Sequence, residues 1–197
     1  MFVITGSSGT TYLMHLLTEL GLDTGFPIGH PVNPQGDFEW TIKGKHVYKE
    51  NMPTIIKSPK LSDTLLDRAK RWDWDVERVY ILMRNYEDIA KSWYDVDRAK
   101  GRTTPKGKFP FITGDLTEEQ HISLCHMKAA GRIGTLMLQL VTSKIPYTFL
   151  LFPRIVTDPD YLYTHCALFH DVKYQTFLEV FNRIADVKKV HHGLKHI

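Results

Sequence analysis

Short apolar runs alternate along this chain with longer amphipathic stretches, and this pattern predicts strands alternating with helices. Runs of consecutive apolar residues, typical of strands buried on both faces, fall at residues 2–5, 54–57, 78–83 and 147–152. Apolar residues spaced three and four apart predict helices over residues 10–20, 63–72, 87–99, 118–143, 158–169 and 173–185. The alternation predicts an α/β fold with a central parallel sheet of about four to five strands, covered by helices on both faces.

The first predicted strand ends in a turn rich in glycine and hydroxyl residues, and a helix follows directly. This glycine turn (residues 6–11) reads Gly6, Ser7, Ser8, Gly9, Thr10 and Thr11. Glycine permits a tight turn, and the unpaired amides and positive dipole end of a helix N-terminus bind phosphate. We therefore expect a nucleotide-type ligand, with Thr10 or Thr11 capping the helix. The turn lacks the Gly-Lys-Ser/Thr ending of a Walker A loop, which argues against an ordinary ATPase or kinase.

Basic residues follow the other predicted strands, at the edge where ligands of parallel sheets bind. Lys57, Arg84 and Arg154 each stand at or just after the end of one strand. Ser92 lies eight residues after Arg84, near the same face of the following helix. An arginine fork with a hydroxyl suits a second phosphate. The alternative is that Arg84 pairs with Asp88 and that Ser92 is a surface residue.

Composition narrows the class of protein further. The 197 residues suffice for one domain, which we expect to span residues 1–197. The net charge of +3 suits an anionic small ligand but is too weak to indicate nucleic acid. Cys125 and Cys166 fit no metal spacing, so we expect no metal and interpret them as free thiols of a reducing compartment. Without a basic leader or an apolar run near the ~20 residues of a membrane span, a cytoplasmic location without membrane contact is expected.

Taken together, these motifs resemble the sulfotransferase family, whose donor is 3′-phosphoadenosine-5′-phosphosulfate (PAPS). The glycine turn is similar to the family's 5′-phosphosulfate loop, and Arg84 with Ser92 is similar to its 3′-phosphate motif. Residues 33–39 (Asn-Pro-Gln-Gly-Asp-Phe-Glu) and the Lys-Ser-Pro after the second strand resemble further family segments. The resemblance implies a P-loop NTPase-like three-layer sandwich. It also implies transfer of a sulfuryl group from PAPS to a hydroxyl or amine, with 3′-phosphoadenosine 5′-phosphate (PAP) as the product.

The resemblance also implies roles for individual residues. The glycine turn would hold the 5′-phosphosulfate, and Arg84 with Ser92 would hold the 3′-phosphate. Glu39 is the first candidate for the base that takes the acceptor proton, and His30 and His46 are alternatives. Lys57 would assist in stabilising charge on the leaving phosphate.

Ser7 departs from the family pattern, because Lys or Arg usually occupies this position. Either Lys57, Lys60 or a residue of 100–108 replaces that cation, or the protein binds the nucleotide without transferring sulfate. A P-loop phosphotransferase is a third, less favoured alternative. The acceptor is expected to be a small molecule or a glycan, in a pocket formed by the irregular residues 22–52 and 100–115.

Overall fold

Four parallel strands form the central sheet of the computed structural model, in the order β2-β1-β3-β4. The strands are β1 (Phe2–Gly6), β2 (Ile55–Lys57), β3 (Arg78–Met83) and β4 (Tyr147–Leu151). The structure describes residues 1–6, 9–32, 52–57, 61–71, 73–102 and 116–185. Helices flank the sheet, so the predicted α/β fold with a parallel sheet is confirmed.

Seven α-helices connect or cover these strands within the described ranges. They are α1 (Thr10–Glu19), α2 (Leu61–Arg71), α3 (Tyr86–Ala99), α4 (Glu118–Thr142), α5 (Arg154–Thr157), α6 (Pro159–His165) and α7 (Tyr174–Ile184). A 3₁₀ turn, Ala167–Phe169, lies between α6 and α7. In this part of the chain, no helix combines the length and the apolarity that crossing a bilayer requires.

The core consists of two layers of side chains, one on each face of the sheet. Successive strand residues point to opposite faces. Ile4 and Leu82 therefore pack with residues of α1, α6 and α7. Val3 and Ile81 point the other way and pack with residues of α2 and α4. Both cysteines are buried free thiols, as the sequence predicts.

The strand order reverses between β1 and β3, and this reversal positions the candidate site. The chain runs from β1 outward to β2 through α1 on one face, and then returns past β1 to β3 through α2 on the other. The register places Gly6, the last residue of β1, beside Leu82 of β3. Ligands of open parallel sheets bind in the crevice at the carboxyl ends of such strands.

Most predicted boundaries agree with the structure, and β3 agrees at both ends. The helix predicted over residues 158–169 is present but shorter than expected, because α6 ends at His165 and a separate 3₁₀ turn follows it. Asp158 has an extended backbone (φ −131°, ψ 92°), and its carboxylate accepts a hydrogen bond from the Tyr161 amide. A new helix therefore starts at Pro159, the position where proline is best tolerated.

Candidate functional site

The glycine turn leads into a helix N-terminus that no side chain of the described residues caps. Gly9 is the N-cap residue, so the prediction that Thr10 or Thr11 caps α1 is wrong. The first intrahelical bond of α1 runs from the Leu13 amide to the Gly9 carbonyl. Within the described ranges, no acceptor binds the amides of the first three helical residues. These amides and the helix dipole form an environment that favours an anion.

Close packing explains both glycines of the turn. Gly6 has a φ of 128°, and a Cβ at this position would collide with the Leu82 carbonyl oxygen. Gly9 has a φ of 78°, and its Cβ would lie 2.8 Å from Ile155 Cδ1 and 2.9 Å from Phe152 Cδ2. The two glycines are thus held against β3 and against the turn between β4 and α5. The intervening Ser7 and Ser8, both predicted ligand-binding residues, lie outside the described residues.

Lys57 lies at the carboxyl end of β2 and points toward the start of α1. Its side chain is almost completely buried, with the residue 2 % exposed. The ammonium Nζ donates a hydrogen bond of 2.8 Å to Thr11 Oγ1. The positive ammonium and the positive end of α1 therefore lie side by side. An anion bound at the start of α1 would be stabilised by both.

Arg84 follows β3, on the other side of β1 from Lys57. Its Nε donates a hydrogen bond to Asp88 Oδ2 at 3.1 Å. The ion pair that the sequence offers as the alternative interpretation of Arg84 is therefore present. Only 15 % of the Arg84 side chain is exposed, and its guanidinium carbon lies 5.5 Å from the centre of the Phe152 ring. The planar guanidinium group of arginine has five N–H donors, and Nε carries one of them. Among the described residues, none accepts a hydrogen bond from the two terminal nitrogens.

Ser92 extends the face of α3 that begins with this ion pair. Asp88 and Ser92 are four residues apart in α3, so they lie on one side of the helix, whereas Arg84 precedes the N-cap residue Asn85. Ser92 is exposed. Arg84 reaches this side of α3 through its ion pair with Asp88, which lies one helical turn before Ser92.

Arg154 follows β4 and forms the second arginine–carboxylate pair at this edge. Its Nε lies 2.9 Å from Asp158 Oδ2, and its guanidinium carbon lies 4.2 Å from the centre of the Tyr161 ring. The hydrogen bond from the Tyr161 amide and the pairing with Arg154 lower the pKa of Asp158 below its ordinary value. This arginine is more exposed than Arg84, with 55 % of its side chain accessible.

Of the three candidates for the base, only His30 lies within the described residues, and it does not lie at the glycine turn. Glu39, the first candidate, and His46 lie outside the described residues. His30 follows Gly29, whose amide donates to Glu19 in the last turn of α1. The start of α1 is about 15 Å away along the axis of this helix. In the described part of the structure, His30 therefore neighbours the opposite end of α1 from the glycine turn.

Sequence reasoning missed two groups of residues. Phe152 and Ile155 pack on the glycine turn, but their role depends on a contact between distant parts of the chain. A buried cluster of Asp97, His121 and Cys125 joins α3 to α4. The signal available for this cluster was the spacing of His121 and Cys125, four residues apart on one helix face.

A cavity of about 180 Å³ lies at the opposite edge of the sheet. Its lining residues are Met1, Met52, Pro53, Thr54, Trp74 and Asp75, which precede β1, β2 and β3. It therefore opens near the amino ends of the strands and contributes nothing to the candidate phosphate site.

The glycine turn, Lys57 and Arg84 thus adjoin at the carboxyl edge of three neighbouring strands. This edge combines the backbone amides at the start of α1 with the charged donors of Lys57 and Arg84. No family model matches this chain, and no curated protein or solved structure gives a significant match.

Proposed function

We propose that this protein binds PAPS at the carboxyl edge of its sheet and transfers the sulfuryl group to a hydroxyl or amine of a small molecule or glycan. The observation that carries the proposal is the hydrogen bond from Lys57 Nζ to Thr11 Oγ1. This contact places a buried cation directly beside the start of α1, whose N-cap residue is a glycine. A phosphosulfate group bound at the glycine turn would contact both.

The donor supplies a sulfur atom joined to phosphate through a bridging oxygen. The acceptor oxygen or nitrogen forms a bond to sulfur while the bond from sulfur to the bridging oxygen breaks. The electron pair of that bond remains on the phosphate of PAP. Lys57 stabilises this developing charge, and Glu39 accepts the acceptor proton.

In this proposal, Lys57 supplies the positive charge that Ser7 lacks. A sulfotransferase usually places Lys or Arg at this position, and losing a preorganised electrostatic partner costs about 3–4 kcal/mol of barrier by analogy with oxyanion holes. The Lys57 ammonium is already oriented by Thr11 next to the glycine turn. In this proposal it takes the role of the missing cation.

Arg84 and Ser92 select the 3′-phosphate. Asp88 binds Arg84 through Nε, and this contact orients the planar fork. The terminal nitrogens are then available for two parallel hydrogen bonds to phosphate oxygens. Asp88 is therefore a positioning residue in this proposal, and the pairing of Arg84 with Asp88 supports phosphate recognition rather than replacing it.

The proposal is tested by calorimetric titration with PAP, with 5′-AMP and magnesium-ATP as controls. We expect micromolar affinity for PAP, about −8 kcal/mol, and much weaker binding of both controls. Equal affinity for PAP and 5′-AMP would overturn the assignment of the 3′-phosphate site. Stronger binding of magnesium-ATP would favour the phosphotransferase alternative.

Transfer itself needs a separate measurement, because Ser7 favours a second candidate, a module that binds PAP or PAPS without catalysis. The protein is incubated with PAPS and a panel of sugars, phenols and amines, and products are analysed by mass spectrometry. A sulfated product that disappears with Glu39→Gln supports an enzyme with this base. Selective PAP binding without any sulfated product supports the binding module.

A further inference from the structure

A second site of different chemistry lies between α3 and α4. Asp97 stands in the last turn of α3, and His121 and Cys125 stand on successive turns of α4. One ligand atom of each residue lies within 4.8 Å of those of the other two. All three residues are buried, with exposures of 6 %, 1 % and 1 %. A carboxylate, an imidazole and a thiol thus converge in a space closed to bulk solvent.

Local structure explains how these side chains meet. Thr117 and Gln120 form a capping box that fixes the first turn of α4. His121 and Cys125 are four residues apart, so both point from one helix face toward α3. Arg102 Nη1 binds Asp97 Oδ1 at 2.7 Å, which orients the carboxylate. The other oxygen, Oδ2, lies 3.5 Å from His121 Nε2.

His121 provides the main evidence that the cluster binds a ligand. Its Nε2 is buried and makes no hydrogen bond to any described residue, although Asp97 Oδ2 lies 3.5 Å away. Burying an imidazole nitrogen without a hydrogen bond is unfavourable, and a bound water or metal ion would relieve that cost. The Tyr94 ring stands edge-on to the imidazole at 5.1 Å, which restricts its rotation. The nitrogen is therefore held in the cluster, facing a carboxylate oxygen.

The distances suit a small tetrahedral cation. Zinc binds nitrogen and oxygen at about 2.0 Å and sulfur at about 2.3 Å, so its ligand atoms lie about 3.5 Å apart. The 3.5 Å between His121 Nε2 and Asp97 Oδ2 already matches this value. The thiol sulfur lies within 4.8 Å of the other two ligand atoms, so it needs a shift of about 1.3 Å at most, which a side-chain rotation can supply. Imidazole and thiolate favour zinc and its neighbours over magnesium or calcium.

We propose that Asp97, His121 and Cys125 form a binding site for a divalent transition metal, with zinc as the best match. Binding joins the thiolate sulfur to the metal and releases the thiol proton to solvent. Arg102 acts on the metal indirectly, through the carboxylate that it orients. The metal ties the end of α3 to the start of α4 and has no part in sulfuryl transfer, so this inference is independent of the proposed function.

Cobalt is the probe, because thiolate ligation of Co²⁺ gives a strong charge-transfer absorption. The full chain is stripped with a chelator and titrated with cobalt, and then zinc is added. We expect one equivalent of cobalt to bind with the thiolate band, zinc to displace it, and the Tm to rise with either metal. Absence of the thiolate band at equimolar cobalt would overturn the proposal, and this result needs no variant.

The two cysteines provide a matched pair of variants. Cys125→Ser is expected to abolish the thiolate band and to weaken metal binding by about 100-fold or more. Cys166 is equally buried but packs on the other side of the sheet, so Cys166→Ala is expected to keep the band. Circular dichroism of each metal-free variant verifies folding. Loss of the band in both folded variants, or its retention in Cys125→Ser, would contradict the assignment.

Discussion

The turns that follow β1 and β3 are neighbours at one edge of the sheet, yet they are built in different ways. After β1, backbone conformation defines the site, because Gly6 and Gly9 have positive φ and pack against adjoining strands and turns. After β3, a side chain defines the site, because Arg84 is oriented by its ion pair with Asp88. The turn after β1 requires glycine, because a Cβ would not fit against its neighbours. The turn after β3 depends instead on a charged side chain and its ion pair.

This difference determines how each turn responds to substitution. A backbone site held by packing cannot be weakened without disturbing the fold, so its variants change stability first. A side-chain fork can be removed with little effect on the core, so its variants change ligand selectivity first. Lys57 resembles both turns, because it has a charged side chain, as Arg84 does, and is closely packed, as the two glycines are.

Gly6→Ala is expected to have the largest effect of the substitutions considered. Its Cβ would collide with the Leu82 carbonyl oxygen, which the sheet prevents from moving, and its φ of 128° is strained for alanine. We expect a loss of about 3 kcal/mol or more in the free energy of unfolding. Chemical denaturation measures this loss.

Gly131→Ala is the matched control, because this glycine lies in α4 and, apart from its own helix backbone and chain neighbours, no described atom lies within 4 Å of its hypothetical Cβ. Alanine in a helix interior is more favourable than glycine by about 0.5–1 kcal/mol, so the control is expected to be slightly stabilising. A Gly6→Ala protein as stable as the wild type would show that packing does not fix the glycine turn.

The same contrast separates what the sequence predicts well from what it misses. β3 is predicted at both ends because its run of apolar residues stops abruptly at Arg84. The cap of α1 is predicted wrongly, because local propensity favours a hydroxyl residue, whereas Phe152 and Ile155 fix Gly9 from a distant part of the chain. Local pattern thus identifies the elements and the edge where charged residues gather. Contacts between residues far apart in the sequence, such as Lys57 with Thr11, can be identified only from the structure.

Lys57→Met is expected to have the next largest effect, and it acts on binding. Methionine has a similar length and remains compatible with a buried position, but it removes the charge beside the start of α1. Charged hydrogen bonds contribute about 1.5–3 kcal/mol, so PAP and 5′-AMP should both bind about 10- to 100-fold more weakly. Calorimetry with both ligands measures this. If the affinity for both ligands is unchanged, Lys57 is not part of the binding site.

Arg84→Ala is expected to affect only the ligand that carries a 3′-phosphate. Losing the fork should weaken PAP binding by about 10- to 100-fold and leave 5′-AMP binding unchanged, since the proposed contact of the 5′-phosphate is with the other turn. Asp88→Ala serves as a companion variant that keeps the fork but removes its orienting partner. We expect a smaller selective loss there. Equal losses for PAP and 5′-AMP in Arg84→Ala would mean that the two turns do not bind separate phosphates.

The smallest expected effect concerns Asp158, whose pair with Arg154 has the same spacing as Asp88 with Arg84 but is more exposed. Asp158 also caps α6, and its pKa is lowered by the Tyr161 amide first and by Arg154 second. Asp158→Ala should therefore lower the Tm slightly at pH 7 and leave PAP binding unchanged.

The pH dependence of that Tm difference has a definite sign. A carboxyl whose folded pKa lies below its unfolded value of about 3.9 stabilises the protein fully above that value. The contribution is lost as the pH falls through the lower, folded pKa. The Tm difference between wild type and Asp158→Ala should thus be constant near neutrality and shrink in acid. A difference that persists unchanged below the folded pKa would show that the charge of Asp158 contributes nothing, and that uncharged packing alone sets its effect.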